Sequence, residues 1–329
     1  MSRDPFGDSI RGLAIIGVVA IHSLDSVLPS ALYQAVSACL RWCVPAFIFL
    51  TAFYTAAPNW TTTGEFVALC LTRIQRLAWP FILYSALYLL LNKQPFEIPL
   101  NKLFTTHLSG YGWPGQYYFI ILFQLTPIVY WLARRGVTAH ELGAIWVLGL
   151  VVYAWAPMGY REFPFLSQLA DRPFPYWLPY VALGVYSARH RDVFKLIAAR
   201  IPAHTALIVG LLAPLILIWA GPQEGHESPY LRPQVLIAST LFLGAARLVC
   251  DQLTPPRWLQ YIGRYSLAIF CLNPLFIWLL RSHLPALNST SHPWSHAAPL
   301  ALVFVALVIA ASLITGKLLQ LIGLRKLVA

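Results

Sequence analysis

Long apolar segments that are almost free of charge dominate this chain and limit what it can fold into. Only 11% of its residues are charged, whereas a soluble domain usually has about 25%. Such a chain lacks the polar residues to cover a surface in water, so a lipid bilayer is the solvent that suits it. The apolar segments are drawn at 10–28, 37–57, 75–91, 116–133, 141–156, 174–188, 204–220, 231–249, 262–282 and 298–323.

These segments predict an all-α integral membrane protein, a bundle of about ten transmembrane helices in a single domain over residues 1–329. Each helical span needs about 20 mostly apolar residues, and 329 residues hold ten such spans with short loops. The segments at 141–156 and 174–188 are short, and one of them is a candidate for an interfacial helix. No internal repeat is evident.

The distribution of positive charge predicts the orientation. With the N-terminus inside the cell, all but seven of the 23 Lys and Arg residues fall at the termini or in loops on the cytoplasmic side, where membrane proteins carry their excess of positive charge. Both termini are therefore predicted to be cytoplasmic. The seven on the opposite side are Arg41, Lys93, Lys102, Arg161, Arg172, Arg232 and Arg281. The net charge of +11 needs no nucleic-acid partner, because no basic stripe is present.

The first apolar segment contains two ionisable residues, Arg11 and His22, and such groups inside a membrane are costly and usually functional. At about 100° per residue, a separation of 11 positions brings the two side chains to within about 20° of one helix face, about 16 Å apart. The orientation places Arg11 near the cytoplasm and His22 in the outer half of the membrane. Asp25 is expected to accept a hydrogen bond from the imidazole and fix its tautomer. Alternatively, Arg11 only anchors the topology and His22 is a structural polar residue.

A second pair of cations, Arg73 and Arg76, lies at the start of the third apolar segment. The two residues are three apart and so share a helix face, and Thr62 with Glu65 predicts a capping box where this helix begins. Two guanidinium groups that project together are suited to gripping a phosphate. A positive flank that fixes topology is the commoner explanation of such a pair. No metal site is expected, because the histidines and cysteines form no close group.

Together these residues resemble the acyltransferase family 3 membrane proteins, which acylate bacterial cell-surface glycans and related acceptors. Residues 8–22, with Arg11 and His22, are similar to the Arg-x10-His first helix of that family. Residues 73–77 are similar to its Arg-x-x-Arg element, and Pro80 follows them as it does in the family. Residues 44–50 and 117–125 resemble two further helices.

The chain departs from the family pattern at two places. The family usually has a Ser-Gly-Phe-like turn in its second helix, and this chain has Thr51-Ala52-Phe53. A segment like 265–273 often ends in His, and here it ends in Asn273, which cannot titrate near neutral pH. The second departure removes the nearest rival to His22 as a base.

The resemblance implies a multi-pass enzyme of the bacterial inner membrane that transfers an acyl group from cytoplasmic acyl-CoA, most commonly acetyl-CoA, to a hydroxyl of a surface or exported glycan. His22 is then the general base or acyl relay, and Arg11 helps Arg73 and Arg76 to hold the donor's phosphates. The expected partners are the lipid bilayer, a glycan or lipid-linked sugar, and other polysaccharide synthesis proteins. The outer segment 92–115 is expected to bind sugar through Glu97, His107, Tyr111 and Trp113.

Two interpretations from other classes remain open on the sequence. A transporter or flippase for a glycan or lipid-linked intermediate would use the intramembrane polar residues to line a path, although the two related halves that are typical of transporters are not detected. A membrane scaffold in a polysaccharide synthesis complex would give those charges only a structural role.

Overall fold

The structure is a computed structural model, and it describes residues 5–55, 62–91, 99–219, 229–283, 294–324 and 327. All regular secondary structure in these ranges is helical. Two short 3₁₀ turns lie at Leu24–Ser26 and Phe174–Trp177. The α-helices are α1 Pro5–Ser23, α2 Ser30–Cys39, α3 Cys43–Thr55, α4 Thr63–Leu91, α5 Leu100–Leu108, α6 Tyr117–Arg135, α7 Ala139–Glu162, α8 Pro164–Leu169, α9 Leu178–Arg189, α10 Arg191–Arg200, α11 Ala203–Leu212, α12 Leu215–Trp219, α13 Pro233–Gln252, α14 Arg257–Arg264, α15 Ser266–His283 and α16 Trp294–Leu321.

Helices lie at all ten predicted apolar segments, which confirms the all-α prediction for the described ranges. Seven spans there are long and apolar enough to cross a membrane: Pro5–Ser26, Ser30–Thr55, Thr63–Leu91, Ala139–Gly159, Pro233–Gln252, Ser266–His283 and Ala297–Leu321. An eighth is obtained if Arg191–Arg200 and Ala203–Ile218, which meet at a bend of 103°, are counted as one span.

By length and composition, the described ranges therefore contain fewer candidate spans than the ten predicted. The helix α6 is long, but its tyrosines and terminal arginines lower its mean hydropathy. The helix α9 has only 12 residues, which is shorter than the hydrocarbon core requires. The segment predicted at 204–220 is divided between α11 and α12.

The helix α1 lies at the centre of the bundle. It packs against α3, α14, α15 and α16, and 14 of its 19 residues are buried. A helix that is apolar on every side is expected in an interior, which agrees with the sequence of α1. Arg11 and His22 are among its few partly exposed residues. Packing on most sides fixes α1 and, with it, the distance between these two residues.

Two glycines allow the backbones of α1 and α14 to touch. A Cβ atom on Gly263 would lie 1.7 Å from the carbonyl oxygen of Asp8, and one on Gly12 would lie 2.2 Å from that of Leu259. Small residues permit this kind of approach between membrane helices. The contact brings the last turn of α14, with Arg264, to the first turns of α1.

The Thr51-Ala52-Phe53 turn lies where α3 packs against α9. A Cβ on Gly184 of α9 would meet the carbonyl oxygen of Phe49 at 2.4 Å and the Cβ of Ala52 at 2.9 Å. The absence of a side chain on Gly184 therefore leaves room for Ala52 where the two helices meet.

Replacing Gly12 by leucine should separate α1 from α14. We expect Gly12→Leu to lower the free energy of unfolding by about 1–3 kcal/mol, the usual cost of overpacking. The matched control is Gly143→Leu, because a Cβ on Gly143 of α7 meets nothing within 4 Å. Thermal unfolding of both purified variants in one detergent measures the difference. Equal melting temperatures for the two variants would contradict the close contact.

Candidate active site

Three arginines that the sequence singles out come together at one end of α1. Arg73 of α4 interacts electrostatically with Arg76 and with Arg11 of α1. Tyr118 of α6 interacts electrostatically with both Arg11 and Arg73. We call Arg11, Arg73 and Arg76 the arginine group. Its members belong to two helices that are far apart in the sequence, and their proximity is a result of the fold.

A buried carboxylate that the sequence analysis gave no role supports the arginine group. Asp8 is 5% exposed; its Oδ1 accepts a hydrogen bond from Nη1 of Arg11, and its Oδ2 accepts one from Nε of Arg264, each at 3.3 Å. The guanidinium of Arg11 also lies 4.8 Å from the ring centroid of Tyr54. The spacing of Asp8 and Arg11 could have indicated their pairing, whereas nothing local in the sequence points to Arg264.

Several positive charges gather at this end of α1. Arg11 and Arg264 share the Asp8 carboxylate, and Arg73 interacts electrostatically with both Arg11 and Arg76. Guanidinium groups pair well with phosphate because two parallel N–H donors match two oxygens. The arrangement therefore fits a phosphate-bearing molecule, and Tyr54 and Tyr118 line the same place with aromatic surface.

His22 lies in the last turn of α1, at the end opposite Arg11, and its side chain is partly exposed. It interacts electrostatically with Asp25, Arg41 and Arg281. The imidazole thus lies among charged groups that come from three other parts of the chain. The site predicted from the sequence is divided between the two ends of one helix, about 16 Å apart by helix geometry.

Asp25 does not have the partner that the sequence predicted. Its carboxylate accepts a hydrogen bond from Nη2 of Arg281 in place of the expected bond from His22. The expectation assumed helical spacing beyond His22, but α1 ends at Ser23 and a 3₁₀ turn follows. The same Nη2 atom lies 3.4 Å from the carbonyl oxygens of His22 and Ser23. Arg281 of α15 therefore holds the end of α1 that carries His22.

Asn273 has a structural role in the middle of α15. The next residue, Pro274, has no N–H to donate to the carbonyl of Phe270, as proline in a helix cannot. Nδ2 of Asn273 donates to that carbonyl oxygen at 2.6 Å and to the carbonyl of Ile269 at 3.0 Å. Asn273 thus repairs the helix beside the proline.

Tyr88 of α4 completes this repair. Its hydroxyl donates to the carbonyl of Cys271 at 2.7 Å and accepts from the backbone N–H of Leu275 at 3.1 Å. One hydroxyl from another helix therefore replaces a backbone hydrogen bond of α15. Tyr88 could not be identified from the sequence, because its partner lies 183 residues away.

The prediction of a sugar-binding surface at 92–115 is wrong for two of its residues. His107 and Trp113 are buried. Nε2 of Gln116 donates to Oγ of Ser85 at 2.6 Å and lies 3.3 Å from Nδ1 of His107, and burial lowers the pKa of His107. Tyr111 is exposed, with the guanidinium of Arg172 3.5 Å from its ring centroid. Glu97 lies outside the described residues.

Several apolar helices are long enough to span a membrane, and charged groups lie at both ends of the buried central helix α1. These features define a membrane protein with a polar site inside its bundle. Residues 5–315 match the model of the acyltransferase 3 family, described as an acyltransferase domain, and the chain belongs to this family. A search of curated proteins and a search of solved structures gave no match.

The family match confirms the resemblance seen in the sequence and establishes the protein as an acyltransferase that transfers groups other than aminoacyl groups. It therefore favours an enzyme over the transporter and scaffold interpretations. Within the described ranges, no three His, Cys, Asp or Glu residues are grouped so that they could hold a metal ion.

Removing the Tyr88 hydroxyl should leave backbone groups of α15 without partners. We expect Tyr88→Phe to lower the free energy of unfolding by about 1–3 kcal/mol, the cost of an unsatisfied buried polar group. Tyr84→Phe on the same helix is the matched control, because the buried Tyr84 hydroxyl has no hydrogen-bond partner in the described part of the chain. Thermal unfolding compares the two, and equal losses of stability would contradict the proposed repair.

Proposed function

We propose that this acyltransferase is a multi-pass protein of the bacterial inner membrane with ten spans and both termini in the cytoplasm. It moves an acyl group, most commonly acetyl, from cytoplasmic acyl-CoA to a hydroxyl of a surface or exported glycan. The observation that carries the proposal is the placement of the arginine group and a partly exposed histidine at opposite ends of α1. Its partners are the bilayer, a glycan or lipid-linked sugar, and other polysaccharide synthesis proteins.

The arginine group binds the donor. The phosphates of acyl-CoA are the chemical groups that paired guanidiniums bind best, and acyl-CoA is a cytoplasmic molecule. The excess of positive charge in the loops on the same side supports a cytoplasmic location for this end. Arg73 and Arg76 make the main contacts with phosphate, and Arg11, already held by Asp8, contributes from the neighbouring helix.

His22 activates the acceptor. The pKa of a sugar hydroxyl lies far above neutrality, so its attack on a thioester needs a base, and a neutral imidazole is a suitable one. His22 takes the hydroxyl proton as the oxygen attacks the acyl carbon, and then returns a proton to the departing thiolate of CoA. A brief acyl-histidine intermediate is the alternative route. Because α1 is packed on most sides, it keeps this base at a fixed distance from the donor's phosphates.

Replacing His22 tests the base. We expect His22→Ala to lower the rate of acyl transfer by about 100- to 10,000-fold, the usual contribution of a general base, with little change in acyl-CoA affinity. Purified protein, radiolabelled acetyl-CoA and surface glycans extracted from a strain that lacks the gene provide the assay. His140→Ala, at an exposed position, is the control. A folded His22→Ala protein with the wild-type rate would refute the assignment.

Replacing the arginines tests donor binding. We expect Arg73→Gln with Arg76→Gln to weaken acetyl-CoA binding by about 10- to 100-fold, since hydrogen bonds to charged groups contribute about 1.5–3 kcal/mol. Equilibrium binding of labelled acetyl-CoA in detergent measures the change. The control is Lys195→Gln with Arg200→Gln, which removes two exposed cations from the same predicted side. If the two double variants bind acetyl-CoA equally well, the arginine group does not hold the donor.

A further inference from the structure

Arg41, which follows α2 and precedes α3, has no role in the function proposed above. It interacts electrostatically with His22. Its Nη2 donates to Oγ of Ser37 at 2.8 Å, and its guanidinium interacts electrostatically with Tyr230. The guanidinium carbon is 5.3 Å from the ring centroid of Tyr230. Arg41 is thus held in place at the end of α1 that carries the proposed base.

Within the described ranges, the hydrogen-bond and aromatic partners of Arg41 are neutral. Its electrostatic neighbours besides His22 and Cys43 are the phenols of Tyr230, Tyr117 and Tyr33. The two other arginines that flank this region are different: Arg281 is paired with Asp25, and Arg172 lies 4.0 Å from Asp171. In the part of the chain that the structure describes, no carboxylate forms an ion pair with Arg41.

A partly buried guanidinium that keeps its full charge is costly in a membrane protein, and such groups are usually retained for function. A carboxylate partner would cancel much of the electric field of the guanidinium. The hydroxyl groups of Ser37 and Tyr230 orient it without doing so. A guanidinium has five N–H donors, so these two contacts leave others for a further oxygen.

We propose that Arg41 is a catalytic residue that stabilises the oxyanion of the acyl-transfer reaction. The proposal rests on the proposed function, in which His22 is the base. As the acceptor oxygen bonds to the thioester carbon, its proton moves to His22 and the carbonyl electron pair moves onto the carbonyl oxygen. That oxygen becomes negative and accepts hydrogen bonds from Arg41. When the C=O bond re-forms, the C–S bond breaks and the thiolate of CoA takes the proton from His22.

Preorganisation is what makes such a donor effective, because donors that are already aimed at the developing charge need not reorganise during the reaction. Tyr230 supplies this order. It interacts electrostatically with Arg41 and with Tyr117, and the Tyr117 and Tyr230 rings lie 6.3 Å apart. The chain of contacts from Tyr117 through Tyr230 to Arg41 holds the guanidinium in place.

The test separates turnover from binding. We expect Arg41→Gln to lower kcat by about 100- to 1,000-fold, as loss of an oxyanion donor does, while the Kd for acetyl-CoA and the KM for the glycan stay within about twofold of wild type. Arg41→Lys, which keeps the charge, should recover part of the lost kcat. The slow hydrolysis of acetyl-CoA by water should fall in parallel, since it passes through the same oxyanion. A wild-type kcat in Arg41→Gln, or a change confined to the KM for the glycan, would overturn the proposal.

Two further variants keep the result interpretable. If Arg41→Gln does not fold, Tyr230→Phe decides: loss of the orienting hydroxyl should lower kcat by about tenfold at unchanged Kd, and an unchanged kcat overturns the proposal. His22→Ala distinguishes the two levels of inference. Loss of activity in His22→Ala with full activity in Arg41→Gln removes only the role of Arg41, whereas full activity in His22→Ala removes the proposed function itself.

Discussion

The contact between α1 and α14 at Gly12 and Gly263 is the interaction on which the candidate site depends. Because neither residue has a side chain, the two backbones touch, and Arg264 reaches the carboxylate of Asp8. Asp8 also holds Arg11 within α1, so the close contact adds Arg264 to an ion pair that contains one cation of the arginine group. The rest of α1 is enclosed by α3, α15 and α16, which extends that fixed geometry to His22.

The two ends of α1 manage charge in opposite ways. At the first end, one buried carboxylate is shared by two guanidiniums while further arginines lie nearby, so positive charge accumulates. At the second end, Arg281 takes the carboxylate of Asp25 and Arg41 is held by neutral hydroxyls. Both ends therefore keep positive charge, but the first holds a group of cations and the second presents one cation beside an imidazole. The first arrangement suits a molecule that arrives already charged, and the second suits charge that develops during a reaction.

Local patterns in the sequence were sufficient to predict the helices and the residue pairs that share one helix. The apolar segments indicated the all-α membrane architecture, and the spacing of Arg73 and Arg76 indicated their common face. The decisive partners could not be predicted, because they join distant parts of the chain. Arg264 and Asp8 are 256 residues apart, as are Arg281 and Asp25. The buried His107 contacts Gln116, which in turn contacts Ser85. The identity of a histidine or aromatic residue does not indicate whether its side chain is buried or exposed.

The repair of α15 restricts how position 273 can evolve. The side chain there supplies a hydrogen-bond donor to the Phe270 carbonyl that Pro274 leaves without a backbone partner. Asparagine and histidine both carry such a donor, so exchange between them preserves the helix while adding or removing a titratable group. An aliphatic residue of similar volume would leave a carbonyl dipole unpaired inside a membrane, where water is not at hand to satisfy it. We therefore expect position 273 to favour side chains that carry a hydrogen-bond donor for as long as the proline remains.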